Sequence, residues 1–265
     1  MNSVLASDPK QRFSNRVDDY VRYRPDYPSA ILDALHEKCG LRPEWVVADI
    51  GSGTGLLAQK FLENGNLVYG VEPNAAMREA GEQFLEKYPH FCSVAGSAEA
   101  TTLPGASVDF VVIGQAFHWF EPNATRAEFR RILRPGGWVA VFWNERMTDT
   151  TPFLREYDAL IRRFGTDYVE VSATYPRDQQ MNEFLGVGAF ERRLFPNEQV
   201  FDFEGLRGRL LSSSYAPPAG HPNHEPMLAE LKRLFDTYQH EGRVRIEYKT
   251  HMYFGRLESR TNRVE

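Results

Sequence analysis

Asp49-Ile50-Gly51-Ser52-Gly53-Thr54-Gly55 follows directly on the apolar run Trp45-Val46-Val47-Ala48. An uninterrupted apolar run of this kind reads as a parallel strand buried on both faces. The glycines after it allow a sharp turn out of the strand and let a ligand approach the main chain closely. Leu56 to Asn64 then reads as a helix, with Gly65 placed to close it in a left-handed cap. Strand, glycine turn and helix open many nucleotide-binding α/β folds. Asp49, two positions before the first glycine, narrows the ligand. A dinucleotide-binding strand normally carries an apolar residue there, because a carboxylate repels a pyrophosphate. A positively charged ligand would be attracted.

The glycine spacing points the same way. The dinucleotide fingerprint is G-x-G-x-x-G, whereas Gly51, Gly53 and Gly55 are spaced G-x-G-x-G. S-adenosylmethionine suits such a strand end, with an ammonium, a sulfonium and no phosphate. Leu67-Val68-Tyr69-Gly70-Val71 reads as a second strand ending at Glu72, 21 residues after Gly51. The fold places an acid there that accepts hydrogen bonds from ribose hydroxyls.

Asp49, the three glycines and Glu72 together resemble the class I S-adenosylmethionine-dependent methyltransferases. The resemblance covers residues 40 to 145 well and the rest more loosely. It looks closest to small-molecule methyltransferases of the ubiquinone/menaquinone and trans-aconitate type. Gly96-Ser97-Ala98-Glu99, after the strand Phe91 to Val94, resembles the segment that meets the adenine ring. Many relatives have an acid where Ser97 stands, and a serine hydroxyl can also accept a hydrogen bond. Val108 to Trp119 resembles the fourth strand and the loop after it, and Leu133-Arg134-Pro135-Gly136-Gly137 the turn into a fifth strand, Trp138 to Trp143. Phe13 to Pro28, with Tyr20, Tyr23, Arg24 and Pro25, resembles an N-terminal helix and lid over the cofactor.

The resemblance implies S-adenosyl-L-methionine as cofactor and S-adenosyl-L-homocysteine as product. It places Asp49, Gly51, Ser52, Gly53, Gly55, Glu72, Pro73, Ser97, Ala98, Glu99 and Gln115 around the cofactor. Tyr20 and Arg24 could bind its carboxylate or close over the acceptor, since the planar guanidinium suits a carboxylate; both could equally be solvated at a turn. His118, Trp119, Tyr23, Asn144 and Tyr215 are the candidates for the acceptor wall.

Bulk properties set limits. A chain of 265 residues, 42% hydrophobic, can bury one sizeable core as one domain with insertions. Its 31 basic against 36 acidic residues leave a net charge of −5, and there is no dense Lys/Arg run. That disfavours a dedicated nucleic-acid binder. Only Cys39 and Cys92 occur, so neither a disulfide framework nor a C-x-x-C metal pair is expected. No apolar run approaches bilayer length. The expectation is a cytoplasmic monomer or homodimer.

The remaining pattern places helices at residues 8–40, broken at Arg24-Pro25 and near Pro28, with Ser29 as an N-cap. Further helices are expected at 74–87, 123–133, 152–165, 178–186, 203–211 and 226–238, a sixth strand at Phe190 to Phe195, and a final strand at Arg243 to Phe254. Pro135-Gly136-Gly137 is expected to end the helix before the fifth strand. Ile246, Tyr248, Thr250, Met252 and Phe254 form one face of the last strand. The implied fold is α/β and Rossmann-like: an open seven-stranded sheet, mostly parallel with the last strand antiparallel, helices on both faces and an added helical lid. We divide it into a lid (1–40), a cofactor-binding core (41–150), a roof of helices with the sixth strand (151–240), and a final strand with a tail (241–265).

Methyl transfer from a sulfonium is an in-line displacement that gains most from near-attack geometry and exclusion of water. A general base is needed only where the acceptor must lose a proton. His118, past the fourth strand beside Gln115 and Trp119, is the base candidate; the same ring could instead only hydrogen-bond its loop. His221 and His224, in a Pro-rich loop without matching carboxylates or thiols, do not make a metal pair. Two other readings stay open at this point: a non-catalytic protein that keeps S-adenosylmethionine or S-adenosylhomocysteine as a ligand, and an NAD-dependent oxidoreductase. Asp49, the glycine spacing and the lack of a Ser-Tyr-Lys arrangement count against the last.

Overall fold

The structure is a computed structural model that describes residues 22–166, 168 and 177–257. A helix α1 (Ala30–Cys39) leads into β1 (Val46–Ile50), α2 (Leu56–Glu63), β2 (Leu67–Val71), α3 (Ala75–Phe84), β3 (Phe91–Val94) and β4 (Val108–Gly114). A single 3-10 turn, Phe117–Trp119, precedes α4 (Pro122–Ile132) and β5 (Leu133–Arg146). Then come α5 (Pro152–Phe164), α6 (Asp178–Leu185), β6 (Phe190–Phe201), α7 (Phe203–Leu211), α8 (His224–Tyr238) and β7 (Val244–Gly255).

The strands form one sheet in the order β3-β2-β1-β4-β5-β7-β6. β1, β2, β3, β4 and β5 are mutually parallel, and β7 runs antiparallel to both β5 and β6. This is the seven-stranded arrangement expected from the sequence. Both faces are covered. Along β4, Phe110 and Val112 join one buried cluster with Ile31, Leu35, Phe61 and Phe142, while Val111 and Ile113 join the opposite one with Phe129, Val139, Val141 and Phe184. Alternate side chains of one strand point to opposite faces, so two helical layers require an apolar residue at every position.

A third cluster lies beyond the parallel part of the sheet. Phe153, Tyr157, Leu160 and Ile161 of α5 meet Leu206 and Leu210 of α7, Leu231 and Leu234 of α8, and Val244, Ile246 and Tyr248 of β7. The final strand therefore has its first half in this roof and Met252 and Phe254 in the main core.

Several boundaries differ from the sequence expectation. β6 extends to Phe201, not Phe195, because β7 pairs with it along its whole length, from Phe190↔Gly255 to Phe201↔Val244. Its polar stretch and Pro196 hide that strand, and an edge strand tolerates both. β5 continues to Arg146, paired with Tyr248, rather than stopping at Trp143. Pro135-Gly136-Gly137 lies within β5, where the register jumps from Val108↔Leu133 to Phe110↔Trp138. Ser29 holds the N-cap position without a side-chain cap bond, whereas Asn74 accepts from the Met77 amide and Glu121 caps α4 one residue earlier than expected. Among the described residues no helix is long and apolar enough to cross a membrane. Most of the expected lid, residues 1–21, and the end of the tail, residues 258–265, lie outside the described residues.

Candidate functional site

β1 and β4 are neighbours in the sheet, and their chain connections leave in opposite directions, to β2 and to β5. A crevice opens outside the carboxyl ends of strands at such a switch point. Here it is a cavity lined by Asp49, Gly51, Ser52 and Thr54 from the glycine loop, Gly114, Gln115, His118 and Trp119 from the end of β4, and Arg24, Trp143, Asn144, Arg146, Tyr168, Arg209, Ser214, Tyr215 and Tyr248 above.

The glycine loop is shaped by contacts that exclude side chains. Gly51 has φ +68°, and a Cβ there would lie 2.6 Å from the Ala116 Cβ; at Gly55, φ +86°, it would lie 2.4 Å from Leu85 Cδ1. Glu72 braces the same loop. Its Oε2 accepts from the Gly53 amide at 3.0 Å and its Oε1 from the Asn74 amide at 2.9 Å.

Asp49 is 1% exposed, and neither carboxylate oxygen has a hydrogen-bond partner. Burial pushes its carboxyl up to about 7. The nearby Ala58 backbone N–H acts in the opposite direction without completing a hydrogen bond, and the charge of Glu72 adds to the rise. An acid buried without a donor is costly unless something arrives to pair with it. The Thr54 hydroxyl, in the same loop, is likewise buried without a partner.

Across the cavity, Gln115 has φ +59°, a left-handed conformation that costs a non-glycine residue about 1–2 kcal/mol. Two bonds hold it there: its amide donates to Phe142 O at 3.0 Å and its Nε2 to Asn144 O at 3.2 Å. The resulting loop sets the His118 ring 4.5 Å from Trp119 and 5.3 Å from Trp143, centroid to centroid. Burial drives His118 down to about 4, so its ring is neutral at physiological pH, and Nδ1 has no partner. A neutral imidazole with an unengaged nitrogen can accept a proton.

The structure thus brings together nine of the candidate residues named from sequence: Arg24, Asp49, Gly51, Ser52, Gln115, His118, Trp119, Asn144 and Tyr215. Gly53, Gly55, Glu72 and Pro73 are not among the residues that line it. Ser97 is paired with Ala100 in an isolated bridge, Ala98 is buried, and the Glu99 carboxylate accepts from the Glu121 amide at 3.0 Å. Tyr23 packs on α7, where a Cβ on Gly208 would come within 2.1 Å of its ring. Tyr20 lies outside the described residues. The Asn144 carboxamide is spent on structure: Nδ2 donates to the Pro25 and Asp26 carbonyls, and Oδ1 accepts from the Thr250 hydroxyl and from Asn197 Nδ2. His221 and His224 serve their own loop, Nδ1 of His221 accepting from the Asn223 amide and Nδ1 of His224 meeting Pro217 O.

Sequence reasoning missed Thr54, Trp143, Arg146 and Arg209. For Arg209 a signal existed. It falls on the same helical face as Leu206 and Leu210, where a cation interrupts an apolar stripe.

Comparison with known proteins bears on family and fold. Residues 48–141 match the methyltransferase domain family. An uncharacterized methyltransferase of Mycobacterium tuberculosis is 35% identical over 169 residues, which span 64% of this chain and 66% of that relative. An uncharacterized methyltransferase-like protein of Schizosaccharomyces pombe is 26% identical over 90% of this chain and 92% of its own. The fold is similar to that of a candidate type II methyltransferase from Anaeromyxobacter dehalogenans, with a TM-score of 0.63 and 24% identity over 89% of this chain and 98% of that one. It is also similar to Haemonchus contortus phosphoethanolamine N-methyltransferase 2, with a TM-score of 0.55 and 15% identity over 93% of this chain and 58% of that one. Residues 48–141 thus carry a methyltransferase domain, and the fold is that of the class I S-adenosylmethionine-dependent methyltransferases.

Proposed function

We propose that the protein transfers a methyl group from S-adenosyl-L-methionine to a small-molecule acceptor in the cavity between the glycine loop and the roof. The observation that carries this reading is the pairing, across one cavity, of an unpartnered buried acid with an unpartnered neutral imidazole. Asp49 suits the cofactor's ammonium group, which would supply the hydrogen-bond donors that its carboxylate lacks. Gly51 and Ser52 line the cavity beside it. When bound, the cofactor supplies an activated methyl on a sulfonium, which leaves as a neutral thioether.

The chain's own part is positioning, exclusion of water and, where the acceptor carries a proton, its removal. His118, which lines the cavity, is the candidate to take that proton. Trp119 and Trp143 hold the imidazole and wall off the cavity, although Trp119 is itself 42% exposed at the rim. Arg24, with Nη2 donating to Ser212 O at 2.9 Å, stands over the cavity where the cofactor's carboxylate can meet it. Glu72, which holds the Gly53 and Asn74 amides, is the acid proposed to meet a ribose hydroxyl.

The test is calorimetry of the full chain with S-adenosylmethionine, S-adenosylhomocysteine and NAD, followed by turnover on an acceptor panel with cofactor bound. Binding of the two sulfur ligands and not of NAD, with methyl transfer, supports the reading. Tight binding without turnover on any acceptor would favour a ligand-holding protein instead.

A further inference from the structure

The roof half of the cavity is cationic in a way that methyl transfer does not require. Arg146 and Arg209 both line it, and both are buried, with the Arg146 side chain 8% exposed and Arg209 6% exposed. Arg146 Nη2 donates to Asp158 Oδ1 at 2.8 Å and to the Tyr168 hydroxyl at 2.9 Å, while its buried Nη1 has no partner. Asp158 is shared, because Arg162 Nε also donates to it, at 2.6 Å. Arg209 donates only to neutral oxygens, Nε to the Tyr248 hydroxyl at 3.1 Å and Nη1 to Ser213 Oγ at 3.0 Å. No described carboxylate forms an ion pair with it. Two guanidiniums therefore share one carboxylate, and Arg209, on the same cavity, is bonded to none.

A buried cation left without an anion is strongly unfavourable. Here it is sustained by a shell of electron-rich oxygens and rings: the Arg146 guanidinium lies 5.2 Å from the Tyr157 ring centroid and 5.8 Å from that of Tyr168, and Arg209 lies 5.9 Å from that of Tyr248. The field shows in Tyr215, on the same wall. Burial alone would raise its hydroxyl, yet Arg209 and Arg146 outweigh burial and hold it below the ordinary tyrosine value. An arginine offers five N–H donors in a planar fork that matches an oxyanion, and the partners described leave several of these donors unused. The floor of the cavity carries Asp49 and suits a cation; the roof suits the opposite sign.

Resting on the methyl-transfer reading, we propose that the acceptor is an oxyanion-bearing small molecule, a carboxylate or a phosphate, whose anionic group is gripped by Arg146 and Arg209 as a handle while the atom to be methylated lies toward His118. The anion is recognised and not itself consumed. A molecule of similar size bearing an amide or an ammonium at that end is rejected, because it cannot satisfy the paired guanidiniums.

The test titrates the full chain, with and without saturating S-adenosylhomocysteine, with hexanoate, hexyl phosphate, hexanamide and hexyltrimethylammonium at up to millimolar concentration. One or both anions should bind at least about tenfold more tightly than the amide and the ammonium, and which anion leads distinguishes carboxylate from phosphate. Arg209→Met should remove that preference while leaving S-adenosylhomocysteine affinity unchanged. Ser214→Asp, which adds an acid to the cavity wall without removing a buried arginine, should do the same and covers the case in which Arg209→Met does not fold. Overturning results are no preference for either anion, no binding of either, or a preference that survives Ser214→Asp. If the variants lose S-adenosylhomocysteine as much as the anions, the arginines serve the cofactor and the proposal falls. Failure of S-adenosylhomocysteine to bind the wild type would sink the methyl-transfer reading instead, and the titrations without it would still decide the anion site.

Discussion

The Glu72 carboxylate grips the backbone amide of Gly53 at 3.0 Å, so the end of β2 holds the middle of the loop that follows β1. The same carboxylate binds the Asn74 amide at 2.9 Å and so also fixes the start of α3. One acid couples two adjacent strand ends. Its position beside the cavity is thereby structural before any ligand arrives.

Glu72→Ala should release both amides, each bond to a charged acceptor being worth about 1.5–3 kcal/mol. We expect weaker S-adenosylhomocysteine binding together with a lowered melting temperature. Wild-type stability with weakened binding would show instead that Glu72 acts only on the ligand.

If Asp49 holds the cofactor's ammonium, as proposed, cofactor binding should depend on pH. With its carboxyl near 7 in the ligand-free protein, the acid is protonated below that value and attracts a cation only above it. Affinity for S-adenosylhomocysteine should fall about tenfold per pH unit below 7 and level off above it. Binding should release a proton near neutrality, measurable as a buffer-dependent heat. The stability sign is the reverse: the raised folded value favours the ligand-free fold at low pH, and this is lost as pH rises from 3.8 through about 7. Asp49→Asn should flatten both dependences, and a persistent slope in that variant would assign the titration elsewhere.

His118 is held neutral, its folded value lowered from 6.5 to about 4 by burial. If it takes the acceptor's proton, turnover at saturating cofactor should show no ascending limb near 6.5 and should drop only near pH 4. His118→Ala should lower the turnover number while leaving cofactor affinity within about twofold. Folding stability contributed by the neutral ring is present above 6.5 and lost as pH falls toward 4. Unchanged turnover in the variant would make the ring structural.

Asn144 ties three elements: its β5 carboxamide meets Thr250 on β7, Asn197 on β6 and the carbonyls of Pro25 and Asp26. Asn144→Ala leaves the buried Thr250 hydroxyl without its acceptor, a loss of about 1–3 kcal/mol. Thermal unfolding should register it. Faster proteolysis near Arg24 should accompany it, since the Pro25 and Asp26 carbonyls lose the Asn144 amide and that segment keeps only Asn197 Nδ2 on Asp26 O and Gln199 Nε2 on Tyr23 O among these bonds.

The sequence by itself determined the sheet, the glycine loop and the position of Asp49, because these rest on local constraints. Left-handed turns demand glycine at Gly51 and Gly55, a doubly covered strand demands an apolar residue at every position, and an acid beside the first glycine is a local choice of ligand charge. Tertiary structure alone decided the roles of Glu72, Asn144, Arg146 and Arg209. In sequence Arg146 and Arg209 are ordinary polar residues and Glu72 and Asn144 stand only as ligand candidates, and long-range pairing alone shows what they hold: Glu72 the Gly53 amide, Arg146 Asp158 of α5, Arg209 Tyr248 of β7, Asn144 Thr250. Burial of a charge is a property of what packs around it. No spacing along the chain encodes that α5, α7 and β7 close over the same two guanidiniums.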